Sequence, residues 1–178
     1  CVGGSIRDSV MGIEIGDWDI TTSALPEETK ELFKDEKIIE TGIKHGTVSI
    51  IKDHEAIEVT TFRIDGEYSD NRHPEQVSFT RNLSEDLKRR DFTVNALAYS
   101  HRTGLVDLYG GLSDIEKKVI RTVGNAEDRF LEDGLRIMRA LRFAATLGFT
   151  IEEETKNAIH KQKDLLKDLS ETDLESEN

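Results

Sequence analysis

The chain contains 178 residues, of which 36% are hydrophobic and 34% are charged, and 24 basic against 36 acidic side chains give it a net charge of −12. This length and apolar content support one large domain, or one domain and part of a second, and exclude disorder along the whole chain. No apolar run approaches the ~20 residues that a membrane helix needs, and no signal-like stretch opens the chain, which predicts a soluble protein without a membrane partner.

The first part of the chain combines short strands, short helices and many glycines. Apolar patterning predicts strands over residues 13–20, 44–51 and 56–62, the last with strictly alternating faces, and a hairpin connection over residues 52–55. A helix is predicted from Pro26 to about Phe33. Residues 1–4 have the character of a strand end that enters a turn, and the missing initiator Met predicts that the chain was cut from a longer protein.

The second part carries helical periodicity from residue 125 to residue 169 almost throughout. We therefore expect a boundary near Gly124, with domains at residues 1–124 and 125–178. Capping-box spacing predicts helix starts at Ser113 and Thr150. Residues 66–75 lack periodic apolar positions and are expected to form an exposed, mobile loop, and the acidic tail at residues 170–178 is expected to fray.

Charge and cysteine content narrow the function classes. Basic residues gather at residues 88–90 and 136–142, so anion-binding patches are compatible with an acidic chain. Cys1 is the single cysteine, which excludes an internal disulfide or a cysteine zinc site and favours a reducing, cytoplasmic location. No sequence feature indicates an oligomeric state.

Asp17 and Asp19 lie two residues apart in the first predicted strand. Side chains two apart on a strand point to one face, and neighbouring carboxylates repel unless a proton or a cation lies between them. Oxygen ligands in this arrangement suit Mg²⁺. Taken alone, a motif as short as Asp-x-Asp is more often a turn or a solvated strand edge.

Gly3 and Gly4 precede this acidic pair, with twelve residues between Gly4 and Asp17. Paired glycines let a backbone approach phosphate oxygens, and Arg7 would add a charge-assisted contact. A tight turn between a strand and a helix is the alternative. Taken together, the glycine pair and the acidic pair resemble the nucleotidyltransferase superfamily typified by DNA polymerase beta.

Two further clusters are rich in arginine. Arg90, Asp91 and Asn95 form a denser polar set than a helix end requires, and a guanidinium fork suits a triphosphate, although a helix end with outward charges explains Arg89. A continuous helix through residues 129–142 would gather its charged side chains within about half of the circumference. That face is either solvated or lines a cleft between domains. Phe143 on this side and Gly134 in the helix interior favour the cleft.

Asp133 and Arg136, three residues apart, form one acceptor and one donor. Cytosine and adenine both present an exocyclic amino donor beside a ring-nitrogen acceptor, whereas uracil and guanine do not. Such a pair would select CTP and ATP without a nucleic-acid template.

Five blocks occur in order along the chain: residues 3–8 (GGSIRD), 16–20 (GDWDI), 42–47 (GIKHGT), 89–96 (RRDFTVNA) and 132–139 (EDGLRIMR). Together they resemble the class II tRNA nucleotidyltransferase (CCA-adding enzyme) and bacterial poly(A) polymerase family over residues 1 to about 150. The resemblance implies an α+β fold, in which a nucleotidyltransferase head of mixed sheet and flanking helices precedes an all-helical neck.

The resemblance also implies roles for individual residues. Asp17 and Asp19 match the catalytic, metal-binding carboxylates, and Gly4, Arg7 and Arg90 match positions that contact the triphosphate. The nucleotide-binding neck is matched by Asp133, Arg136, Arg139 and Arg142. Residues 65–74 resemble the flexible loop that lets the family change from CTP to ATP. Family members normally have a strand before the glycine pair, and body and tail domains that hold tRNA, so we expect a truncated neck here and tRNA affinity mainly elsewhere.

The implied function is addition of CMP and AMP from CTP and ATP to the 3′ end of tRNA, with release of pyrophosphate and with Mg²⁺ held by Asp17 and Asp19. Glu58, on the polar face of the strand at residues 56–62, is the candidate for a third carboxylate. Alternatives are an A-adding enzyme or poly(A) polymerase of the same family, and a nucleotide- or RNA-binding module without turnover, which the intact acidic pair disfavours.

Overall fold

The computed structural model describes residues 1–66 and 77–168. The helices in this part of the chain are α1 (Gly4–Met11), α2 (Pro26–Leu32), α3 (Leu83–Lys88), α4 (Gly111–Lys117), α5 (Ala126–Glu132), α6 (Leu135–Leu147) and α7 (Glu153–Gln162). The strands are β1 (Asp19–Thr22), β2 (Lys37–Ile39), β3 (Thr47–Lys52), β4 (Glu55–Thr61), β5 (Arg63–Asp65), β6 (Val77–Phe79), β7 (Leu97–Ser100), β8 (Gly104–Asp107), β9 (Val119–Ile120) and β10 (Thr150–Ile151). Three short 3₁₀ segments lie at Ile43–His45, Thr93–Asn95 and Lys163–Asp168.

A four-stranded mixed sheet in the order β1-β4-β3-β2 forms the base of the fold. β1 runs parallel to β4, and the other two pairs are antiparallel. The predicted alternation in β4 is confirmed, because Val59 and Thr61 are buried while Glu58 is exposed. The predicted hairpin is also confirmed: Asp53 and His54 both have positive φ, as a tight two-residue connection with matching strand twist requires.

The first residues of the chain join this sheet to the β7–β8 hairpin. The Val2 amide donates to the Asp19 carbonyl at 3.0 Å, and Val2 forms a bridge with Ala98 on the other side. Residues 1–3 therefore have strand-like pairing, as predicted. Because the glycine pair follows Val2 directly, α1 begins at the edge of the sheet where β1 also begins.

Two of the predicted strands are shorter than expected. Of residues 13–20, only the last two lie in β1, because α1 ends in a left-handed Gly12 and Ile13 is 45% exposed without a strand partner. The strand predicted from residue 44 begins at Thr47, because the preceding residues form a 3₁₀ turn that ends at Gly46. In both places an apolar residue near a strand extended the pattern beyond the hydrogen-bonded pairing.

The sequence predicted the start of α2 correctly, but not the starts of α4 and α7. α2 begins at Pro26 as predicted, and the Leu25 amide donates to the Glu28 carboxylate at 2.7 Å. The predicted starts at Ser113 and Thr150 are wrong. The Asp107 carboxylate accepts the Gly111 and Leu112 amides at the start of α4, and Glu152 caps α7. Asp107 precedes its helix by four residues, which puts it outside capping-box spacing.

The C-terminal part is helical, as predicted, with one exception. The strand β10 pairs in parallel with β9 across the expected boundary at residue 124, so this part is not all-helical. Phe92, Val94 and Ile120 share one buried cluster with Ala140, Phe143 and Phe149. The helices after residue 125 therefore pack on the first 124 residues through a common core.

The helix predicted through residues 129–142 is two helices. α5 ends at Glu132, Asp133 has an extended backbone (φ −145°, ψ 104°), and Gly134 precedes α6 as its N-cap residue. Gly134 therefore does not interrupt a helix. A Cβ atom at Gly134 would lie 3.3 Å from the Cβ of Leu165, so the missing side chain lets the C-terminal 3₁₀ segment approach this junction.

None of the described helices is both long and apolar enough to cross a membrane.

Candidate functional site

A cleft of about 480 Å³ opens between the N-terminus of α1, the segment before β1, residues 90–95 and α6. Its volume lies within the ~300–1,000 Å³ typical of small-molecule sites. Seven of the nine residues predicted for the site line it: Gly4, Arg7, Asp17, Asp19, Arg90, Arg139 and Arg142. The tertiary fold thus gathers residues as distant in sequence as Gly4 and Arg142 in one cleft.

Gly3 allows a close approach beside the glycine pair. Its φ of +71° is a conformation that favours glycine, and a Cβ atom there would lie 3.1 Å from Nη1 of Arg90 and 3.9 Å from Oδ2 of Asp19. The missing side chain therefore lets the Arg90 guanidinium and the Asp19 carboxylate approach the same short stretch of backbone. The Arg90 guanidinium and the Asp19 carboxylate thus lie close to the same backbone position in the cleft.

Asp17 and Asp19 reach the cleft from different backbone conformations. Asp19 is the first residue of β1, whereas Asp17 lies in a bend before it, so the two do not share a strand face as expected. Burial raises the pKa of Asp19, Arg90 opposes this rise, and the neighbouring charge of Asp17 adds to it. A divalent cation would stabilise the ionised Asp19 carboxylate beside the carboxylate of Asp17.

The acidic pair fits a magnesium site of a particular kind. No group of three or more histidine, cysteine, aspartate or glutamate side chains that could hold a metal ion occurs within residues 1–66 and 77–168. Mg²⁺ commonly binds one or two carboxylates and completes its shell with water and substrate phosphates. Two carboxylates beside a phosphate-sized cleft meet that requirement.

Glu58, the candidate third carboxylate, does not join them. It is the register partner of Asp19 between β1 and β4, but its exposed side chain does not line the cleft.

A chain of hydrogen bonds connects α1 to α6 across the cleft wall. Arg7 donates to the Asn95 side-chain oxygen at 2.7 Å, and Asn95 donates to Oδ1 of Asp91 at 3.3 Å. Oδ2 of Asp91 accepts from Arg139 at 2.9 Å and 2.8 Å. Burial acts to raise the pKa of Asp91, but Arg139 and the Phe92 amide outweigh it and hold this pKa below its usual value.

Three arginines of the cleft surround one phenyl ring. The guanidinium carbons of Arg7, Arg139 and Arg142 lie 5.2, 5.4 and 4.5 Å from the centroid of the Phe143 ring. These distances fall within the ~6 Å range of cation–π attraction. The arginine face of α6 is therefore the face that packs on the rest of the chain, as the position of Phe143 predicted. Leu141 of the same helix is 44% exposed.

Arg90 forms an ion pair with Asp86, a residue outside the predicted site. Asp86 is fully buried and accepts from Arg89 at 2.9 Å, from Arg90 at 3.4 Å and from the Arg63 amide at 3.3 Å. Burial lowers the pKa of Arg90, and Asp86 opposes that change. The spacing Asp86, Arg89, Arg90 on a helix (i, i+3, i+4) was a signal for this contact.

Asp133 and Arg136 do not line the large cleft. They line an adjoining pocket of about 210 Å³, which shares Arg90, Asp91 and Arg139 with it. Asp133 accepts the Leu135 amide at 3.0 Å, and Arg136 donates to Glu132 at 2.6 Å and to the Arg89 carbonyl at 3.3 Å. The pair thus lies in a pocket beside the cleft, and Arg90, Asp91 and Arg139 line both.

The predicted specificity loop lies almost entirely outside the described residues. Asp65 ends β5, which pairs antiparallel with β6, and Gly66 follows it, whereas residues 67–74 are not described. Asp65 lies 3.0 Å from Arg63 and 3.7 Å from Arg89. Asp65, at the start of the predicted loop, therefore contacts Arg63 and Arg89, two residues that also donate hydrogen bonds to Asp86.

Comparison with known proteins decides the family. The family model described as "Poly A polymerase head domain" matches residues 1–121, about two thirds of the chain. The chain belongs to this family. Enzymes of the family generally use divalent metal ions, in agreement with the acidic pair in the cleft.

Relatives and solved structures of this family match the chain closely. The CCA-adding enzyme of Geobacillus kaustophilus (strain HTA426) is 53% identical over 169 residues, which are 95% of this chain and 41% of that protein. A crystal structure of the Bacillus stearothermophilus CCA-adding enzyme in complex with CTP aligns with a TM-score of 0.89 at 46% identity, over 99% of this chain and 42% of that one. A tRNA nucleotidyltransferase complexed with a primer tRNA and an incoming ATP analog aligns with a TM-score of 0.75 at 32% identity, over 99% and 50% of the two chains. The chain thus spans about two fifths of the length of the curated relative it matches.

Proposed function

We propose that this chain carries the catalytic and nucleotide-binding part of a CCA-adding enzyme. In the proposed reaction, CMP and AMP are transferred from CTP and ATP to the 3′ end of tRNA without a template, and pyrophosphate is released. The observation that carries the proposal is the single cleft that Asp17 and Asp19 line together with Arg7, Arg90 and Arg142. An acidic pair for a cation and a basic wall for a polyanion are what nucleotidyl transfer requires.

The basic wall binds and orients the triphosphate in this proposal. Arg7 and Arg90 approach it from α1 and from the segment after α3, and Arg142 approaches it from α6. The backbone of Gly4 begins α1 and leaves room for phosphate oxygens beside Arg7. Fixing the triphosphate from three sides places its α-phosphorus for in-line attack by the RNA 3′-oxygen, with the P–O bond to pyrophosphate breaking opposite.

Asp17 and Asp19 would hold Mg²⁺ beside the α-phosphate. A divalent cation held by these two carboxylates would supply Lewis-acid chemistry, favouring the ionised form of the attacking 3′-hydroxyl and offsetting charge on the departing pyrophosphate.

Base selection is assigned to the adjoining pocket. The Asp133 carboxylate offers an acceptor and the Arg136 guanidinium a donor, the pattern that complements both cytosine and adenine. Arg139, common to both pockets, connects base selection with the triphosphate. In the same proposal residues 1–124 are the catalytic head, residues 125–178 are the neck, and Cys1 as a free thiol agrees with the cytoplasm.

The test uses the full-length protein, Mg²⁺ and tRNA that lacks its 3′ CCA. With CTP alone the tRNA is expected to grow by two nucleotides, and with CTP and ATP by three. Growth with ATP alone on this tRNA would instead identify an A-adding enzyme or a poly(A) polymerase, which the name of the matching family model favours as the second candidate. No growth with any nucleotide, together with normal nucleotide binding, would identify a binding module.

A further inference from the structure

Phe143 occupies an unusual position for a buried phenylalanine. It is only 7% exposed, and its ring is within 5.4 Å of three guanidinium groups that line the cleft. Arg139 and Arg142 belong to α6, as Phe143 does, whereas Arg7 comes from α1. A single side chain therefore contacts arginines from two helices that are far apart in sequence.

Three positive charges that converge on one cleft repel one another. Arg7 is paired with Asp8 at 2.7 Å and Arg139 with Asp91 at 2.8 Å, so carboxylates offset part of this repulsion. The negative face of an aromatic ring supplies attraction without adding a formal charge. A carboxylate in the same place would compete with a bound anion, whereas a phenyl ring leaves the wall positive.

The ring itself is fixed by the core. Phe92, which is fully buried, contacts Phe143 edge to face, with ring centroids 5.9 Å apart and an interplanar angle of 83°. Phe92 and Phe143 belong to the cluster that joins the first 124 residues to α6. The orientation of the ring, and with it the geometry of the arginines, is thus tied to the packing between these two parts of the chain.

We propose that Phe143 is a positioning residue for nucleotide binding, whose ring holds Arg7, Arg139 and Arg142 at the geometry that a triphosphate requires. This inference rests on the proposed function, since it assigns the arginines to a nucleoside triphosphate. It predicts that the aromatic character of residue 143, rather than its apolar volume, sets the affinity for the nucleotide.

The test compares three variants of the full-length protein by calorimetric titration with CTP. Phe143→Leu keeps an apolar side chain and removes the ring, whereas Phe143→Tyr keeps the ring. Phe149→Leu is the matched control, because Phe149 is 6% exposed in the same buried cluster and contacts none of these three guanidinium groups. Thermal unfolding of each variant measures the loss of packing.

Phe143→Leu is expected to raise the Kd for CTP about five- to twentyfold, through two or three weakened cation–π contacts. Phe149→Leu should lower the melting temperature by a similar amount and leave this Kd within about twofold of the original, and Phe143→Tyr should likewise leave the Kd within about twofold. In steady-state assays the KM for CTP should rise with Phe143→Leu by a larger factor than kcat falls, because the ring contacts the arginines that bind the triphosphate and not the two carboxylates proposed to hold the cation.

An unchanged Kd in Phe143→Leu would overturn the inference, as would an equal rise in Phe149→Leu, which would indicate loss of packing alone. Both results leave the proposed function standing when the unsubstituted protein binds CTP. If the unsubstituted protein binds neither CTP nor ATP, the proposed function fails and this inference fails with it.

Discussion

The carboxylates of Asp17 and Asp19 share a cleft although only Asp19 lies on a strand. Asp17 lies in the bend before β1 and lines the same cleft from there. At this scale the chemistry depends on single atoms, and single substitutions test it.

Asp17→Asn is expected to abolish nucleotide incorporation, a fall of at least about 10³-fold, because it removes one of two charges that hold a cation at the reacting phosphate. Its stability should change by less than about 1 kcal/mol, since Asp17 is exposed. Asp35→Asn, at another exposed aspartate that does not line the cleft, is the control. Near-normal incorporation by Asp17→Asn would contradict the assignment.

Asp91 predicts a specific pH dependence. Its pKa is held below the usual 3.8 in the folded chain, so its ionised form stabilises the fold above about pH 4, and this contribution is lost as the pH falls through the lowered pKa. Asp91→Asn should therefore reduce the free energy of unfolding by about 2 to 4 kcal/mol at pH 7. The difference from the unsubstituted protein, measured by urea unfolding, should stay constant from about pH 7 to pH 5 and shrink below about pH 4. A difference that grows in acid would show that the sign is wrong.

Asp133→Ala should relax the choice of nucleotide rather than remove activity. With the acceptor gone, the ratio of kcat/KM for CTP to that for UTP is expected to fall by about tenfold or more, as for loss of one paired contact to a base. Because Asp133 also accepts the Leu135 amide at the start of α6, Asp133→Asn is a useful companion that keeps an oxygen for this bond. An unchanged ratio in both variants would place base selection elsewhere.

At the scale of elements, the two glycine-rich turns do different work. Gly3 lets β1 and the segment after α3 converge on the cleft, whereas Gly46 lets the 3₁₀ turn before β3 pack under β6. A Cβ atom at Gly46 would lie 2.6 Å from Cε1 of Phe79, and its φ is +83°. The β5–β6 strand pair thus packs against the turn at residues 43–46.

Gly46→Ala is expected to lower the free energy of unfolding by about 2 to 3 kcal/mol, from backbone strain plus the contact with Phe79. Gly104→Ala provides a matched control, because Gly104 has a φ of +72° and a Cβ atom there would meet no other atom within 4 Å. It should cost only the strain, about 1 kcal/mol. In a Phe79→Ala background the excess cost at Gly46 should vanish, which a double-mutant cycle measures. Equal costs at both glycines would mean that the turn and β6 are not in tight contact.

At the scale of the whole molecule, the first 124 residues and the helices that follow share one core. Half of the cluster around Phe92 comes from residues after 125, and β10 adds a parallel partner to β9. The basic wall of the cleft is built across the same contact, because Arg7 and Arg142 meet at Phe143. The cleft is therefore complete only when these two parts of the chain are packed together.

A chain cut after residue 124 is accordingly expected not to fold stably, since Phe92, Val94 and Ile120 would lose their covering helices. The expected result is a broad, non-cooperative thermal transition and binding of a hydrophobic dye, against a single cooperative transition for residues 1–178. A sharp transition of the shorter chain would show that residues 1–124 are an independent domain.

The sequence alone determined the family, the order of the functional blocks and seven residues of the cleft, because a catalytic group must have a particular chemistry at a particular spacing from its neighbours. It also determined β4 through its alternating apolar and polar residues, and α2 through its N-terminal proline, because both signals are local in the sequence. Asp86 was not predicted from the sequence, because it also accepts from the Arg63 amide in β5, which is distant in sequence. Its spacing to Arg89 was visible in the sequence.

Only the tertiary structure decided where the chain breaks its regular elements and what the arginines of α6 contact. The helix break at Asp133 and the exposure of Leu141 depend on packing against residues far along the chain, which periodicity does not record. The same holds for the two pockets: Asp133 and Arg136 line one and the acidic pair lines the other, whereas Arg90 and Arg139 line both.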